Sequence, residues 1–107
     1  MRSRSLILLV ALVLGVISGC SHQASPHRVT LTWVPPIAAR GPSATGYNVY
    51  RSAISGKGYV KIADRVPYPW YEDRAVSSGQ TYFYVVTALD PAGNESGFSA
   101  ETKAVIP

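Results

Sequence analysis

Apolar residues follow two different patterns along this chain, and the pattern changes near residue 28. Residues 6–17 form one unbroken apolar run of 12 residues. From Arg28 onward, short stretches alternate apolar and polar residues, as in Val29-Thr-Leu-Thr-Trp33. Such alternation places successive side chains on opposite faces of a strand, and no segment of this region has a convincing helical period. The pattern predicts an all-β fold, a two-sheet sandwich or a barrel.

Six short strands are predicted between segments that are rich in turn residues. Residues 81–89 are almost continuously apolar, which is typical of a central strand. Two glycines within residues 52–58 and the sequence Asp-Pro-Ala-Gly-Asn at residues 90–94 indicate turns. The predicted strands are residues 29–33, 46–50, 59–63, 70–73, 81–89 and 100–106.

The apolar run at the start of the chain has the features of a signal peptide. Arg2 and Arg4 precede it, and two small residues follow it. A retained membrane-spanning helix is the alternative, but spanning the hydrocarbon core needs about 20 apolar residues. The sequence Ile17-Ser-Gly-Cys20 resembles the cleavage box of bacterial lipoproteins. This resemblance implies that Cys20 is lipidated and becomes the mature N-terminus.

The lipoprotein resemblance also implies how the chain is organised and where it resides. Residues 1–19 would be a signal peptide that is removed, residues 20–27 a lipidated tether, and residues 28–107 the folded domain. The lipid anchor would make the membrane a partner, and a residue other than aspartate after the cysteine implies the outer membrane. The alternative is ordinary signal cleavage, which would leave a secreted or periplasmic chain with a free thiol.

The net charge gives no reason to expect a nucleic-acid partner. Ten Lys and Arg residues against six Asp and Glu residues give +4. Arg2 and Arg4 would leave with the signal peptide, which lowers the net charge to +2. The remaining cations are scattered rather than clustered, so they indicate an ordinary solvated surface.

Four motifs within residues 28–107 together resemble a fibronectin type III domain. The resemblance implies an immunoglobulin-like sandwich of two β-sheets. Few residues precede the first predicted strand, so we expect strand A of this family to be short, missing or supplied by the tether. One sheet is then expected to expose an edge. The motifs are Val29-Thr-Leu-Thr-Trp33, Gly46-Tyr-Asn-Val-Tyr50, Gly79-Gln-Thr-Tyr82-x-Tyr84-x-Val86-x-Ala88 and Gly93-Asn-Glu-Ser96.

The fibronectin type III resemblance implies which side chains form the core. Trp33 would be the core tryptophan of strand B. Tyr82 takes the place of the tyrosine corner near the start of strand F, where the hydroxyl group bonds back to the backbone. The residues expected to be structural are Trp33, Tyr47, Val49, Tyr82, Tyr84 and Val86.

The polar residues do not indicate catalysis. Both histidines, His22 and His27, lie in the predicted tether, which would not hold them rigidly beside a nucleophile or further metal ligands. Glu72 and Asp73 are adjacent on a predicted strand, so their carboxylates face opposite sides of the sheet. We therefore predict that the chain is not an enzyme and has no catalytic residue, metal site or cofactor. It also lacks the Arg-Gly-Asp motif, so no integrin-type partner is expected.

Two sets of residues are candidates for binding a partner. Tyr68 and Trp70 lie in a loop stiffened by two prolines and would expose large aromatic rings. The alternative is that Trp70 folds beneath the loop and plugs the open end of the sandwich. Tyr50, Phe83 and Val85 would form an apolar patch on an outer sheet face, unless side chains from flanking strands cover them.

Two functions agree with these features. The first is a non-catalytic outer-membrane lipoprotein whose fibronectin type III-like module binds or scaffolds other proteins in the cell envelope. The alternative is an accessory carbohydrate-binding module that uses Tyr68 and Trp70. The orientation of these two rings discriminates between the hypotheses, because sugar stacking needs rings that are coplanar and exposed rather than packed inward.

Overall fold

The computed structural model describes residues 27–35 and 44–107, and this part of the chain is built of β-strands. The prediction of an all-β, two-sheet sandwich is confirmed. The predicted signal peptide, Cys20 and His22 lie outside the described residues. The strands are β1 (Val29–Thr32), β2 (Gly46–Ser52), β3 (Val60–Val66), β4 (Trp70–Asp73), β5 (Thr81–Leu89) and β6 (Thr102–Val105).

The strands form a small sheet and a large sheet, both antiparallel. The small sheet pairs β1 with β4, and the large sheet has the order β3-β2-β5-β6. Within the described residues, β1 has a strand neighbour on one side only. The segment that could supply strand A lies outside these residues, so its length stays a prediction. No helix in this part of the chain is long and apolar enough to cross a membrane.

The core lies between the sheets and follows from alternation along each strand. On β1, Val29 and Leu31 are fully buried, while the two threonines point away from the core. Trp33 packs edge-on against Tyr47 at a ring-centroid distance of 5.3 Å. The buried apolar cluster consists of Val29, Leu31, Trp33, Tyr47, Val49, Tyr84, Val86, Ala88, Ala104 and Ile106.

Four strands differ from the predicted bounds, and the differences at β3 and β6 have local reasons. β3 continues to Val66 instead of ending at residue 63, and its register with β2 shifts twice. Arg65 has a positive φ of 56° and donates its backbone N–H to Asn48 Oδ1 at 2.9 Å, which supports this irregular pairing. β6 begins only at Thr102, because Ser99 bonds to the backbone of Val86 through both its own N–H and its hydroxyl group.

A buried polar network joins the two sheets. The Asp73 carboxylate at the end of β4 accepts hydrogen bonds from Arg51 Nη1 at 2.8 Å and from the Tyr84 hydroxyl at 2.7 Å. Asp73 also accepts the backbone N–H of Ala75, which shapes the turn after β4. Burial raises the pKa of Tyr84, and its hydrogen bond to Asp73 raises it further. The tyrosine therefore stays a neutral donor to the carboxylate.

The two ends of the sandwich are held by backbone contacts between loops. At one end, Trp33 donates its N–H to the carbonyl of Pro69 at 3.1 Å, and Thr45 donates to Leu89 at 2.8 Å. At the other end, Gly79 donates to Ile106 at 3.0 Å. The start of β1 pairs with Asp73, so it lies toward this second end. Trp70 pairs with the last residue of β1 and lies toward the first end.

Candidate functional site

Tyr68 and Trp70 present two large aromatic rings to solvent. Tyr68 is 57% exposed and Trp70 is 51% exposed. Their ring planes are 12° from parallel, and the ring centroids are 6.2 Å apart. We call this pair the aromatic platform. The two near-parallel rings stack against each other, and each remains about half exposed.

The local sequence explains why the platform is held in this position. Prolines on both sides of Tyr68 restrict the backbone φ angles of the loop. The carbonyl of Pro69 accepts the N–H of Trp33, which attaches the loop to the end of β1. Trp70 is the first residue of β4, so strand pairing fixes its backbone. The aromatic platform thus stands on a sheet and a stiffened loop.

The alternative in which Trp70 folds beneath the loop is wrong. Trp70 pairs with Thr32 across the small sheet, on the face that points away from the core. The next residue, Tyr71, points to the opposite face and packs against the core cluster. The core tryptophan position is filled by Trp33, which is buried beside Tyr47.

Polar side chains continue the outer face of the small sheet beyond Trp70. Glu72 lies two residues along β4 and pairs with Thr30, so it shares the outer face with Trp70. Its Oε2 accepts a hydrogen bond from Arg28 Nη1 at 3.0 Å, and its Oε1 accepts from Arg74 Nε at 3.2 Å. Burial opposes ionisation, but the two arginines outweigh it and lower the pKa of Glu72. Glu72 is therefore an ionised carboxylate held between two cations.

The second predicted patch is partly wrong. Val85 is 2% exposed, whereas Tyr50 and Phe83 are half-buried. The chain after β5 folds back over this face, where the Glu95 carboxylate accepts hydrogen bonds from Thr87 at 2.7 Å and from the Tyr50 hydroxyl. Val85 lies beside Tyr50 in the strand pairing and is covered there. The exposed apolar patch of Tyr50, Phe83 and Val85 does not form.

A different aromatic group occupies this face and was missed by the sequence reasoning. The ring of Phe98 is 52% exposed and meets Tyr50 and Tyr59 edge-on, at centroid distances of 5.1 and 5.2 Å. Glu101 accepts hydrogen bonds from Tyr59, from Ser55 Oγ and from the backbone N–H of Gly56. Phe98 follows Gly97 in a loop, where no periodic pattern predicts that its ring lies on the sheet.

The residues predicted to be structural occupy the interior or its edge. Trp33, Tyr47, Val49, Tyr84 and Val86 belong to the buried cluster, and Tyr82 packs against it. The Tyr82 hydroxyl accepts the backbone N–H of Ser77 at 3.0 Å, and the guanidinium group of Arg51 lies 5.2 Å from the centre of the Tyr82 ring. These side chains position the strands and do not reach the aromatic platform.

The described residues offer little for metal or acid–base chemistry. Across residues 27–35 and 44–107, no group of three or more His, Cys, Asp and Glu side chains could hold a metal ion. Glu72 and Asp73 point to opposite faces, one toward solvent and one into the buried network.

The strand order and the core define the class of protein. Two antiparallel sheets with the orders β1-β4 and β3-β2-β5-β6 enclose one apolar core, which makes the chain an immunoglobulin-like sandwich. A solved Fn3-like protein from Clostridium thermocellum is 32% identical, with a TM-score of 0.68, and the match covers 96% of each chain. This chain belongs to the fibronectin type III family. No family model matches it.

Other similar proteins are much longer than this chain. An amylopullulanase from Thermoanaerobacterium thermosulfurigenes is 42% identical over 77 residues, which are 72% of this chain and 4% of the amylopullulanase. A β-1,2-glucanase of known structure from Parabacteroides distasonis is 27% identical, with a TM-score of 0.67. That match covers 98% of this chain and 13% of the glucanase. The chain thus resembles a small segment of each of these proteins.

Proposed function

We propose that this chain is a non-catalytic carbohydrate-binding module of the cell envelope, which holds a polysaccharide on the aromatic platform. The observation that carries the proposal is the near-parallel, exposed pair of Tyr68 and Trp70. Aromatic side chains bury a large area at low entropic cost, because few rotatable bonds are fixed on binding. The apolar faces of a chain of sugar rings would stack on these rings.

The comparisons support a binding role rather than catalysis. The segment similar to this chain is a small share of the amylopullulanase and of the β-1,2-glucanase. Both are named for acting on polysaccharides, and a domain of this size within such a protein is well suited to holding the polymer.

The lipoprotein part of the proposal rests on the sequence. Cys20 would carry the lipid and attach the tether to the outer membrane. The tether would lead into the start of β1, at the end of the sandwich opposite Trp70. The aromatic platform would then face away from the lipid surface. A polysaccharide outside the membrane would meet it without obstruction.

A protein-binding module in the envelope is the second candidate. Phe98 and its two tyrosine neighbours favour it, because exposed aromatic clusters often mark protein interfaces. The two candidates use different sheets of the same sandwich. Substitutions at Trp70 and at Phe98 therefore separate them.

The experiment is a binding assay with a matched control. The full chain, purified in a detergent without a sugar headgroup, is run by affinity electrophoresis through gels containing pullulan, amylopectin or a β-glucan. Trp70→Ala should abolish the retardation seen with the polysaccharide that binds. Phe98→Ala removes an equally exposed ring from the other sheet and should leave retardation unchanged. Retardation that survives Trp70→Ala, or is absent in the wild type with every polysaccharide, contradicts the proposal.

A further inference from the structure

Three charged side chains beside the aromatic platform, Arg28, Glu72 and Arg74, contact one another. The carboxylate of Glu72 is bonded on one oxygen by Arg28 and on the other by Arg74. The two arginine side chains are 42% and 62% exposed, so the pairs gain little for stability. The three charged side chains nevertheless lie together on the same outer face as Trp70.

Each of these three side chains can form further hydrogen bonds beyond those within the group. Arg28 contacts Glu72 through one guanidinium nitrogen, and Arg74 through Nε and Nη2. A guanidinium group has five N–H donors, so both arginines keep N–H donors that do not bond to Glu72. Each oxygen of the Glu72 carboxylate can accept more than one hydrogen bond, because it has two lone pairs. Donors and acceptors therefore stand side by side, as neighbouring hydroxyl groups of a sugar require.

We propose that Arg28, Glu72 and Arg74 form the hydrogen-bonding end of the polysaccharide site, whose stacking end is the aromatic platform. This inference rests on the proposed function and names its polar determinants. Successive residues of a strand advance by about 3.3 Å, so Trp70 and Glu72 are about 7 Å apart along β4. A ligand that covers both extends beyond a single sugar ring. The occupant is thus an oligosaccharide or a polymer.

The charges also define the chemical class of the ligand. Glu72 is ionised, and the two arginines outnumber this one carboxylate, so the group is net positive. Sugar hydroxyl groups can use all three side chains, because they donate to Glu72 and accept from the arginines. A polysaccharide rich in hydroxyl groups therefore fits the site.

The test compares two carboxylates that each accept several hydrogen bonds, from arginines at Glu72 and from neutral donors at Glu101. Glu72→Gln keeps the shape of the side chain but removes its charge. Glu101→Gln makes the same change on the large sheet, where Glu101 also accepts several hydrogen bonds. The full chain in the same detergent is titrated with the neutral polysaccharide that binds best. We expect Glu72→Gln to weaken neutral binding about tenfold, the loss of one charge-assisted hydrogen bond. Glu101→Gln should change nothing.

The outcomes separate this inference from the proposed function. If Trp70→Ala abolishes binding but Glu72→Gln does not weaken it, the polar end is wrong and the carbohydrate-binding function stands. If Trp70→Ala leaves binding intact, or no neutral polysaccharide binds, both fail. Arg74→Gln is the second variant, with an expected loss of similar size, and the thermal midpoint of each variant shows whether it is folded.

Discussion

The buried contact between Tyr84 and Asp73 can be tested by removing a single oxygen atom. Tyr84 is fully buried, and its hydroxyl donates to Asp73 Oδ2 at 2.7 Å. Tyr84→Phe deletes this donor and keeps the ring, so the apolar packing around it is preserved. Asp73 Oδ2 retains its hydrogen bond from Arg51 at 2.8 Å, so the carboxylate is not left without a partner.

The expected cost follows from these contacts. A hydrogen bond to a charged group is worth about 1.5–3 kcal/mol, and the remaining arginine contact favours the lower part of this range. We expect Tyr84→Phe to reduce the free energy of unfolding by about 2 kcal/mol, which lowers the thermal midpoint on the order of 10 °C for a domain of this size. This is a large share of the stability that a small domain has.

The assay is urea denaturation of the full chain, followed by tryptophan fluorescence, with Tyr82→Phe as the control. The Tyr82 hydroxyl accepts one backbone N–H at an exposed position, where water replaces it, so its loss should cost only about 0.5–1 kcal/mol. The reasoning is refuted if Tyr84→Phe leaves the midpoint unchanged, or if Tyr82→Phe is the more destabilising of the two.

Two further results are expected. Hydrogen bonds to Glu95 outweigh the effect of its burial and lower its pKa below the ordinary value of 4.5. The unfolded chain then binds more protons, so stability should fall as the pH drops below about 4.5. Urea midpoints at pH 6 and pH 3.5 measure this loss, and an equal loss in Glu95→Gln would show that another group causes it. Cys20→Ser should prevent labelling by a fatty-acid analogue, and equal labelling of the variant and the wild type would exclude the lipid anchor.

The strands were predictable from the sequence because alternation and turn residues act locally. The segment Val29–Thr32 alternates buried and half-buried residues as its pattern requires. The end of β3 was not predictable, because it depends on a backbone conformation at Arg65 and on a side-chain contact from Asn48. Such a contact joins residues that are distant in the sequence, so no local pattern records it.

The candidate site was predictable in composition but not in geometry. The sequence singled out Tyr68 and Trp70, yet the exposure of Trp70 follows from its pairing with Thr32. The burial of Val85 had no local signal, because alternation placed it on the outer face and the chain after β5 covers that face. Alternation assigns a residue to a face of a sheet, and only the tertiary fold decides whether that face meets water.

The placement of Glu72 between two arginines also needed the strand register. Arg28 is 44 residues from Glu72 in the sequence, and the pairing of β1 with β4 brings them together. Alternation along the strand predicts that Glu72 and Asp73 face opposite sides, and the two carboxylates accordingly bond to different partners. No local pattern predicts the partners of either carboxylate.

The most direct test of the central claim is the accessibility of Trp70 when polysaccharide is bound. The chain has two tryptophans: Trp33 is buried and Trp70 is half exposed, so acrylamide quenching of the fluorescence reports mainly on Trp70. Saturating polysaccharide should reduce the quenching of the wild type and leave Trp70→Phe, which retains only Trp33, unchanged. Undiminished quenching of the wild type with polysaccharide bound would contradict the account, because the polymer would then be held elsewhere.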